Sequence, residues 1–311
     1  TSMAYPTVSA PYGLKPVNLV GGRPYSGSTR MIPIQQGYAT SIYNGDVVSL
    51  SAGDAIITAY NANTSNLASG YTGQLGVFVG CEYSTTGGPI YGKNRYQYYA
   101  ASQNAPDTVA YVVDDPQALF RVAVVNQAQG SANTQANTGT TIGYMSPRFL
   151  GTNAFLIAGN GGSTSTGDSY AGVSGANPTV ASSVAGNIPQ TVATGAGTSP
   201  CLRVIQLVPD TAVTVSTTIT SATGSGTSFV VASSAGLQPG MQVVLANTSG
   251  TSAGAPGNTT YVTGVVTSTN TVSVSASVSW TANQVVTFVG YPEVIVGWNF
   301  GYHAYQIAAG V

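Results

Sequence analysis

The sequence predicts an all-β protein: a main domain of the barrel or sandwich type, an extended N-terminal arm and a small inserted β module. Segments rich in Val, Ile, Tyr and Phe are short, and Gly, Ser, Thr and Asn separate them, as in proteins built from strands and turns. Helical periodicity of apolar residues is nearly absent. Apolar residues make up 43% of the 311 residues and aromatic residues 9%, which favours a folded chain with a sizeable core over a disordered one.

Residues 1–35 differ from the rest and are predicted to form the arm. Between Tyr5 and Pro33 there are five prolines and three cations but no acidic residue. Because proline fixes φ and lacks a backbone N–H, this stretch should be extended and irregular, not sheet interior. It is either a loop-like first turn of the domain or an arm that lies along a neighbouring subunit. In the second interpretation the contact residues are Tyr12, Leu14, Lys15, Arg23, Tyr25 and Arg30.

Residues 36–210 and 291–311 are predicted to form the main domain. Asn44-Gly45 predicts a hairpin with a type I′ turn between strands at 39–43 and 46–50, since Asn-Gly tolerates positive φ at both central positions. Asp114-Asp115-Pro116 predicts a second turn whose carboxylates accept hydrogen bonds from backbone N–H groups. Residues 126–199 are predicted to be mostly ordered loops. Further strands are predicted at 56–60, 75–83, 95–100, 108–113, 118–124, 201–208 and 293–300.

Residues 211–290 are predicted to be a separate β module. No Lys, Arg, Asp or Glu occurs between Thr211 and Tyr291, and the pattern of the main domain resumes at Glu293. The simplest account is an insertion between the last two strands of the main domain, because exposed loops tolerate insertions. One strand is predicted at 213–219. Residues 235–244 are predicted to form a turn followed by a strand, and residues 261–266 and 270–275 a hairpin.

Charge is scarce: the chain has eight Lys or Arg and nine Asp or Glu, where a soluble domain would have roughly a quarter charged residues. Neutralising about six to ten phosphates needs as many clustered cations, so no nucleic-acid partner is expected. No run of about 18 apolar residues is present, so no membrane partner is expected, and residues 1–4 do not resemble a secretory signal. A surface of hydroxyls and amides can pack against other copies without burying unpaired ions, which favours a homo-oligomer or larger assembly.

Residues that could carry chemistry are few, and we predict no catalytic site, cofactor or metal. A Ser-His-Asp triad would have to use His303, the one histidine, which is more simply structural. Zinc would require Cys81, Cys201, His303 and a carboxylate to converge, and calcium could bind Asp114 and Asp115. A carboxylate pair of the glycosidase type stays open. The two cysteines are interpreted as buried thiols, with a disulfide as the alternative.

Seven short segments of the arm and the main domain carry a resemblance to a known family. They are Tyr12–Val17, Gly21-Gly22, Arg30–Ile34, Tyr38–Thr40, Asn44–Val48, Gly76–Cys81 and Val112–Pro116. Together they resemble a group of tailed-phage virion proteins described as structural, decoration or cement proteins of the capsid. The resemblance extends over residues 10–125, 201–209 and 293–305 and leaves out 211–290. It implies a non-enzymatic protein on the capsid surface of the virion that binds the major capsid protein from outside.

A tail-fibre or adhesin-like module that binds receptor glycans is the alternative function, since Gly/Ser/Thr/Asn-rich β chains serve there too. A sugar platform needs exposed aromatic rings, and the same rings could instead pack in the core. A polysaccharide-cleaving enzyme is a third possibility. The candidate rings are Trp280, Trp298, Tyr96, Tyr98 and Tyr99.

Overall fold

The computed structural model describes residues 8–50, 57–59, 75–84, 93–125, 142–154, 156–157, 161–174, 201–245 and 260–299, with His303 and Tyr305. These residues contain strands, two single-turn 3₁₀ helices (Pro147–Phe149 and Pro209–Thr211) and no α-helix, which confirms the all-β class. The strands are β1 (Lys15–Leu19), β2 (Arg30–Pro33), β3 (Val47–Leu50), β4 (Ile57–Ala59), β5 (Gly76–Tyr83), β6 (Asn94–Tyr96), β7 (Val109–Val113), β8 (Ala118–Val125), β9 (Asn153–Ala154), β10 (Leu156–Ile157), β11 (Gly172–Ser174), β12 (Leu202–Leu207), β13 (Val213–Thr218), β14 (Gly224–Val230), β15 (Gln242–Leu245), β16 (Val262–Val266), β17 (Thr271–Trp280), β18 (Val285–Gly290) and β19 (Glu293–Trp298).

Two large sheets pack together in the main domain. The seven-stranded sheet has the order β10-β11-β8-β19-β12-β9, with β1 also paired to β8. The six-stranded sheet has the order β2-β7-β5-β3-β4, with β6 also paired to β5. One core cluster joins the two sheets, because it contains Phe120 and Val296 from the first and Val77 and Val113 from the second.

The central strands β5 and β7 of the six-stranded sheet have buried residues on both faces. Its strands place successive side chains on opposite faces, as the period of two in a strand requires. Val77 belongs to the core between the sheets, and the next residue, Phe78, belongs to a second core on the far side. Val113 and Val112 divide in the same way. This arrangement explains the long apolar runs of β5 and β7.

The segment predicted as an arm is paired with its own chain over residues 8–33. Strand β1 pairs antiparallel with β8, and β2 pairs antiparallel with β7, so the segment joins both large sheets. Leu14 is fully buried between the sheets. The prolines are tolerated because β2 is an edge strand and β1 pairs with β8 alone, where a missing N–H costs little. Residues 1–7 of the predicted arm lie outside the described part.

The hairpin predicted across Asn44 and Gly45 is wrong. Strand β3 is present, but it pairs with β4 and β5, and Ile42 bridges to Tyr99 instead. Gly45 has a φ of 95°, whereas Asn44 does not have a positive φ, so a type I′ turn does not form. The physical reason is that the backbone of this turn contacts another segment. Gly45 lies against Gly13, and the Gly45 carbonyl oxygen accepts a hydrogen bond from the backbone N–H of Leu14, the residue just before β1.

The inserted module is a small six-stranded barrel. Its two sheets have the orders β13-β18-β15 and β14-β17-β16. One seam is closed by a bridge between Gln242 and Tyr261, and the other by a bridge between Ile219 and Val231. Backbone hydrogen bonds support both seams. The barrel has its own core, in which the large side chains are Phe229, Met241, Trp280 and Phe288.

The two ends of the module are neighbours. Val213 at the start of β13 pairs with Gly290 at the end of β18, so the chain leaves and rejoins the main domain at one place. The module also contacts the main domain: the Tyr261 ring packs edge-on against Phe149, with ring centroids 5.1 Å apart. Tyr144 of the main domain packs against the core of the barrel.

We predict that Leu14→Ala destabilises the protein by about 2–5 kcal/mol, because it opens a cavity in the shared core. Val20→Ala is the matched control, since Val20 is 53% exposed in the same segment and should change the free energy of unfolding by less than about 0.5 kcal/mol. Urea denaturation of both variants measures the difference. Equal stability of the two variants would show that the segment is not part of the core.

We also predict that residues 212–290 fold alone, and that replacing them with a short Gly/Ser bridge leaves the main domain folded. The separate core and adjacent ends are the reason. Circular dichroism and thermal melting of both fragments check this. The bridged protein should melt at a lower temperature than the full chain, because it loses the Tyr261–Phe149 contact. A bridged protein without β-sheet signal contradicts the boundary.

Candidate functional site

An open groove of about 540 Å³ lies where residues 8–12 face residues 163–170 and the start of β19. Sites for small ligands have volumes of about 300–1,000 Å³, so the groove is large enough for one. Residues with polar groups and apolar residues both line it. The apolar lining residues are Val8, Ala10 and Pro11, and those with polar groups are Ser9, Tyr12, Arg121, Ser163, Thr166, Asp168, Tyr170, Thr211 and Glu293.

Glu293 at the start of β19 is the buried charge of this groove. Its side chain is only 5% exposed, and its two carboxylate oxygens accept hydrogen bonds from the Tyr12 hydroxyl and from Arg121 Nη2. A buried carboxylate is stable only when it is paired, and the guanidinium and the phenol together provide this pairing. Burial, with Glu293 beside it, raises the pKa of Tyr12 well above its ordinary value, so the phenol stays protonated and donates.

A second ion pair holds the loop that carries Asp168, another lining residue of the groove. Lys15 Nζ lies 2.6 Å from Asp168 Oδ1 and donates another hydrogen bond, 2.8 Å long, to Asn44 Oδ1. These contacts tie β1 to the 161–170 loop and to the 44–45 turn. Both charged side chains are about one-third exposed, so the pair contributes mainly by positioning the loop.

Asp46 is half-buried next to the same loop. Its carboxylate accepts hydrogen bonds from the Tyr43 backbone N–H, at 2.7 Å, and from the Ser169 hydroxyl. Burial raises the pKa of Asp46 to about 6, and the hydrogen bonds and the nearby Lys15 oppose this rise only in part. Ser169 Oγ also accepts from the Ala171 N–H, so the carboxylate organises the end of the loop.

These segments meet because two glycines touch. Gly13 and Gly45 both have positive φ, at 76° and 95°. A Cβ on Gly13 would lie 2.7 Å from the Gly45 backbone, which no substitution could accommodate without moving the chain. The contact lets Leu14 N–H donate to Gly45 O and Gly13 N–H donate to Ala171 O.

Three of the six predicted contact residues belong to this region. Tyr12 donates to Glu293 and Lys15 pairs with Asp168, both of which line the groove, and Leu14 fills the core. Glu293 and its partner Arg121 were not predicted. A signal was available, since each is a single charge within an otherwise apolar strand, and such charges are commonly paired with each other.

The other three predicted residues lie elsewhere, and each contacts its own chain. Arg23 donates to Gln117 Oε1 over 3.2 Å, and the Tyr25 hydroxyl donates to Ser28 O over 2.8 Å. Arg30 pairs with Asp114 and also reaches the Tyr305 hydroxyl. These contacts are all within the chain, and a contact of these residues with a neighbouring subunit stays a prediction.

The candidate chemical residues are buried in structural positions. His303 is fully buried, with its ring against Trp298 and Tyr305, and burial lowers its pKa. Cys81 and Cys201 are free buried thiols in two different cores, and burial raises the pKa of each to about 12. The alternative of a disulfide is therefore wrong. Within the described ranges no three His, Cys, Asp or Glu residues cluster as metal ligands.

The Asp114-Asp115 turn forms as predicted: Gln117 N–H donates to Asp115 Oδ1 at 2.7 Å. Asp114 accepts from Arg30 and from the Tyr305 hydroxyl, so both carboxylates already have protein partners.

The aromatic residues considered as a sugar platform mostly pack in cores. Trp280 and Trp298 are each 8% exposed, and Tyr99 is fully buried. Tyr96 stacks on Tyr83 with centroids 4.3 Å apart, and Tyr98 stacks on Tyr43. The core-packing interpretation is confirmed for the two tryptophans and for Tyr99.

Comparisons of the chain with protein-family models, with curated proteins and with solved structures found no match. In the part of the chain that the structure describes, no helix has the length and apolarity to cross a membrane.

We predict that Asp46 makes stability fall as pH rises from about 4 to about 7. Its pKa is higher in the folded chain than in the unfolded one, so the folded state binds the proton more tightly and loses this advantage once pH passes the folded pKa. A rise in pKa of this size makes the loss about 3 kcal/mol. Asp46→Asn should remove it, because an amide does not titrate, and the Ser169 hydroxyl can turn to accept from the amide N–H so that the loop contact is kept. Urea denaturation between pH 4.5 and 7.5 measures both proteins; parallel curves contradict the assignment.

Proposed function

We propose that the chain is a non-enzymatic structural protein of a phage virion, which decorates or cements the outside of the capsid by binding the major capsid protein. The proposal rests on the resemblance of residues 10–125, 201–209 and 293–305, and on one structural observation about charge: every basic side chain is already bound within the chain. A surface built in this way is suited to permanent contact with neighbouring protein.

The eight basic side chains all make intramolecular contacts. Four form ion pairs, two lie over tyrosine rings, and two donate to uncharged oxygens. The ion pairs are Lys15–Asp168, Arg30–Asp114, Lys93–Glu82 and Arg121–Glu293. The others are Arg95 over Tyr111, Arg148 over Tyr261, Arg23 to Gln117 and Arg203 to Gly151.

This use of charge supports an assembly role. A nucleic-acid surface needs clustered cations that are free to meet phosphates, whereas here each cation has a partner on its own chain. The remaining surface is rich in hydroxyls, amides and single apolar side chains. Burying such groups against a neighbour carries a small desolvation cost, compared with burying unpaired ions.

The state of the candidate chemical groups supports a non-enzymatic role. A general acid–base or nucleophilic mechanism needs a group that substrate can reach. His303 and both cysteines are buried, and the groove carboxylates Asp168 and Glu293 are each paired with a cation.

Exposed apolar residues on the main domain are candidates for the capsid contact. Met31 on edge strand β2 is 56% exposed and lies within a motif that carries the resemblance. Val285 on the barrel is similarly exposed, at 59%, but belongs to the segment that the resemblance leaves out. These two residues give a matched pair for testing which part of the chain binds the shell.

We predict that the protein occurs in many copies on the shell of purified particles, and that it rebinds to shells from which it has been removed. Met31→Asp should weaken rebinding, because the contact would then bury a charge without a partner. Val285→Asp should bind normally. Cosedimentation measures binding, and cryo-electron microscopy locates the protein. The adhesin alternative would be favoured if cryo-electron microscopy found only a few copies, all on the tail. It would also be favoured if the two variants bound particles equally well and density for the protein lay on the tail.

A further inference from the structure

We infer that the groove beside β1 binds a neutral saccharide. This inference goes beyond the proposed structural role, because a protein displayed in many copies on a particle could use such a groove to hold the particle to polysaccharide. It does not depend on where in the virion the protein sits.

The lining of the groove suits a ligand rich in hydroxyls. Asp168, whose side chain is 30% exposed, provides a carboxylate oxygen as an acceptor, and Ser163 and Thr166 provide hydroxyls that both donate and accept. The open side of the groove gives an extended ligand room to pass along the surface.

The charge of the groove favours a neutral ligand over an ionic one. Arg121 is paired with Glu293, and Lys15 approaches Asp168 from the side, so the two carboxylates are balanced by two cations. A phosphate or an acidic sugar would meet cations already bound to carboxylates, and a cation would meet carboxylates already bound to cations. A neutral polyol can use the remaining lone pairs without breaking either ion pair.

The groove is also preorganised. The Tyr12 hydroxyl donates to Glu293, which is itself held by Arg121, so Tyr12 has little freedom to lose when a ligand binds. Tyr170 is half-buried between the Asp46–Ser169 contact and the core residue Ala171. Tyr12 and Tyr170 both line the groove, and aromatic rings offer flat apolar area to a sugar ring next to the polar groups that would fix its orientation.

The test is binding of the full chain to an immobilised array of neutral and acidic oligosaccharides, followed by calorimetry with the strongest binder and with inorganic phosphate. Tyr170→Ala should weaken binding of the neutral binder about fivefold, from the loss of one ring contact of about 1 kcal/mol. Tyr170→Phe keeps the ring and should retain most of the affinity. Tyr111→Ala removes a half-buried tyrosine from the six-stranded sheet, away from the groove, and should have no effect. Circular dichroism checks that each variant is folded.

Neutral saccharide binding that is weakened about fivefold in Tyr170→Ala and unchanged in Tyr111→Ala establishes the inference. It is overturned if no neutral oligosaccharide binds, if only acidic oligosaccharides or phosphate bind, or if Tyr170→Ala binds as well as the parent chain. Shell binding is measured separately, so loss of the saccharide inference and loss of the capsid proposal give different results.

Discussion

The contact between Gly13 and Gly45 brings together the segments on which the main domain depends. Because neither residue has a Cβ, the two backbones approach closely enough for Leu14 N–H to donate to Gly45 O. That position lets Leu14 fill the core between the two large sheets and directs Tyr12 and Lys15 toward Glu293 and Asp168, both of which line the groove. A side chain on either glycine would separate the strand from the turn, and the core and the groove would be lost together.

The scarcity of charge is a second constraint, and the fold uses nearly all the charge it has internally. Glu293 is nearly buried, and Arg121 and Tyr12 hold it where three parts of the chain meet. Replacing Arg121 would leave a buried carboxylate without a counter-charge, which is far more costly than the intact pair is stabilising. The charges therefore specify how the N-terminal segment sits on the sheets, and they leave an outer surface on which neutral groups dominate.

The sequence allowed the all-β class and most main-domain strands to be predicted, because β5, β7, β8 and β19 are apolar and bounded by turn residues. The fate of the N-terminal segment was not predictable in the same way. Its prolines exclude a central strand but leave open an edge strand of the domain or an arm on a neighbouring subunit. Pairing of β1 with β8 and of β2 with β7 shows that the segment forms strands of its own domain. The turn at Gly45 has the local signature of a hairpin, yet its positive φ serves a contact with Gly13, 32 positions earlier in the sequence. Strand β14 was missed because its residues are mainly Gly, Ser and Thr, and Phe229 alone marks its buried face.

The groove was harder to predict than the fold, since its members are far apart in the sequence and each is unremarkable alone. Arg121 and Glu293 become informative only as opposite charges on the adjacent strands β8 and β19. Asp168 lies in a loop rich in Gly, Ser and Thr, where nothing local links it to Lys15. Long-range pairing of this kind is decided by sheet order, which the sequence of one chain does not contain.

The charge-free composition of the module follows from the closure of its barrel. Proteins with open sheets protect their edge strands with charged residues, because an unpaired edge offers N–H and C=O groups to other chains. In this module the bridges Gln242–Tyr261 and Ile219–Val231 pair the edges of the two three-stranded sheets with each other. Edge charges are then unnecessary, and a surface of Ser, Thr and Gly suffices for solubility. The same closure explains how the module can be inserted in the sequence between β12 and β19 while these two strands still pair. The strands of the module make their hydrogen bonds with one another, and the two ends of the module are adjacent where they join the main domain.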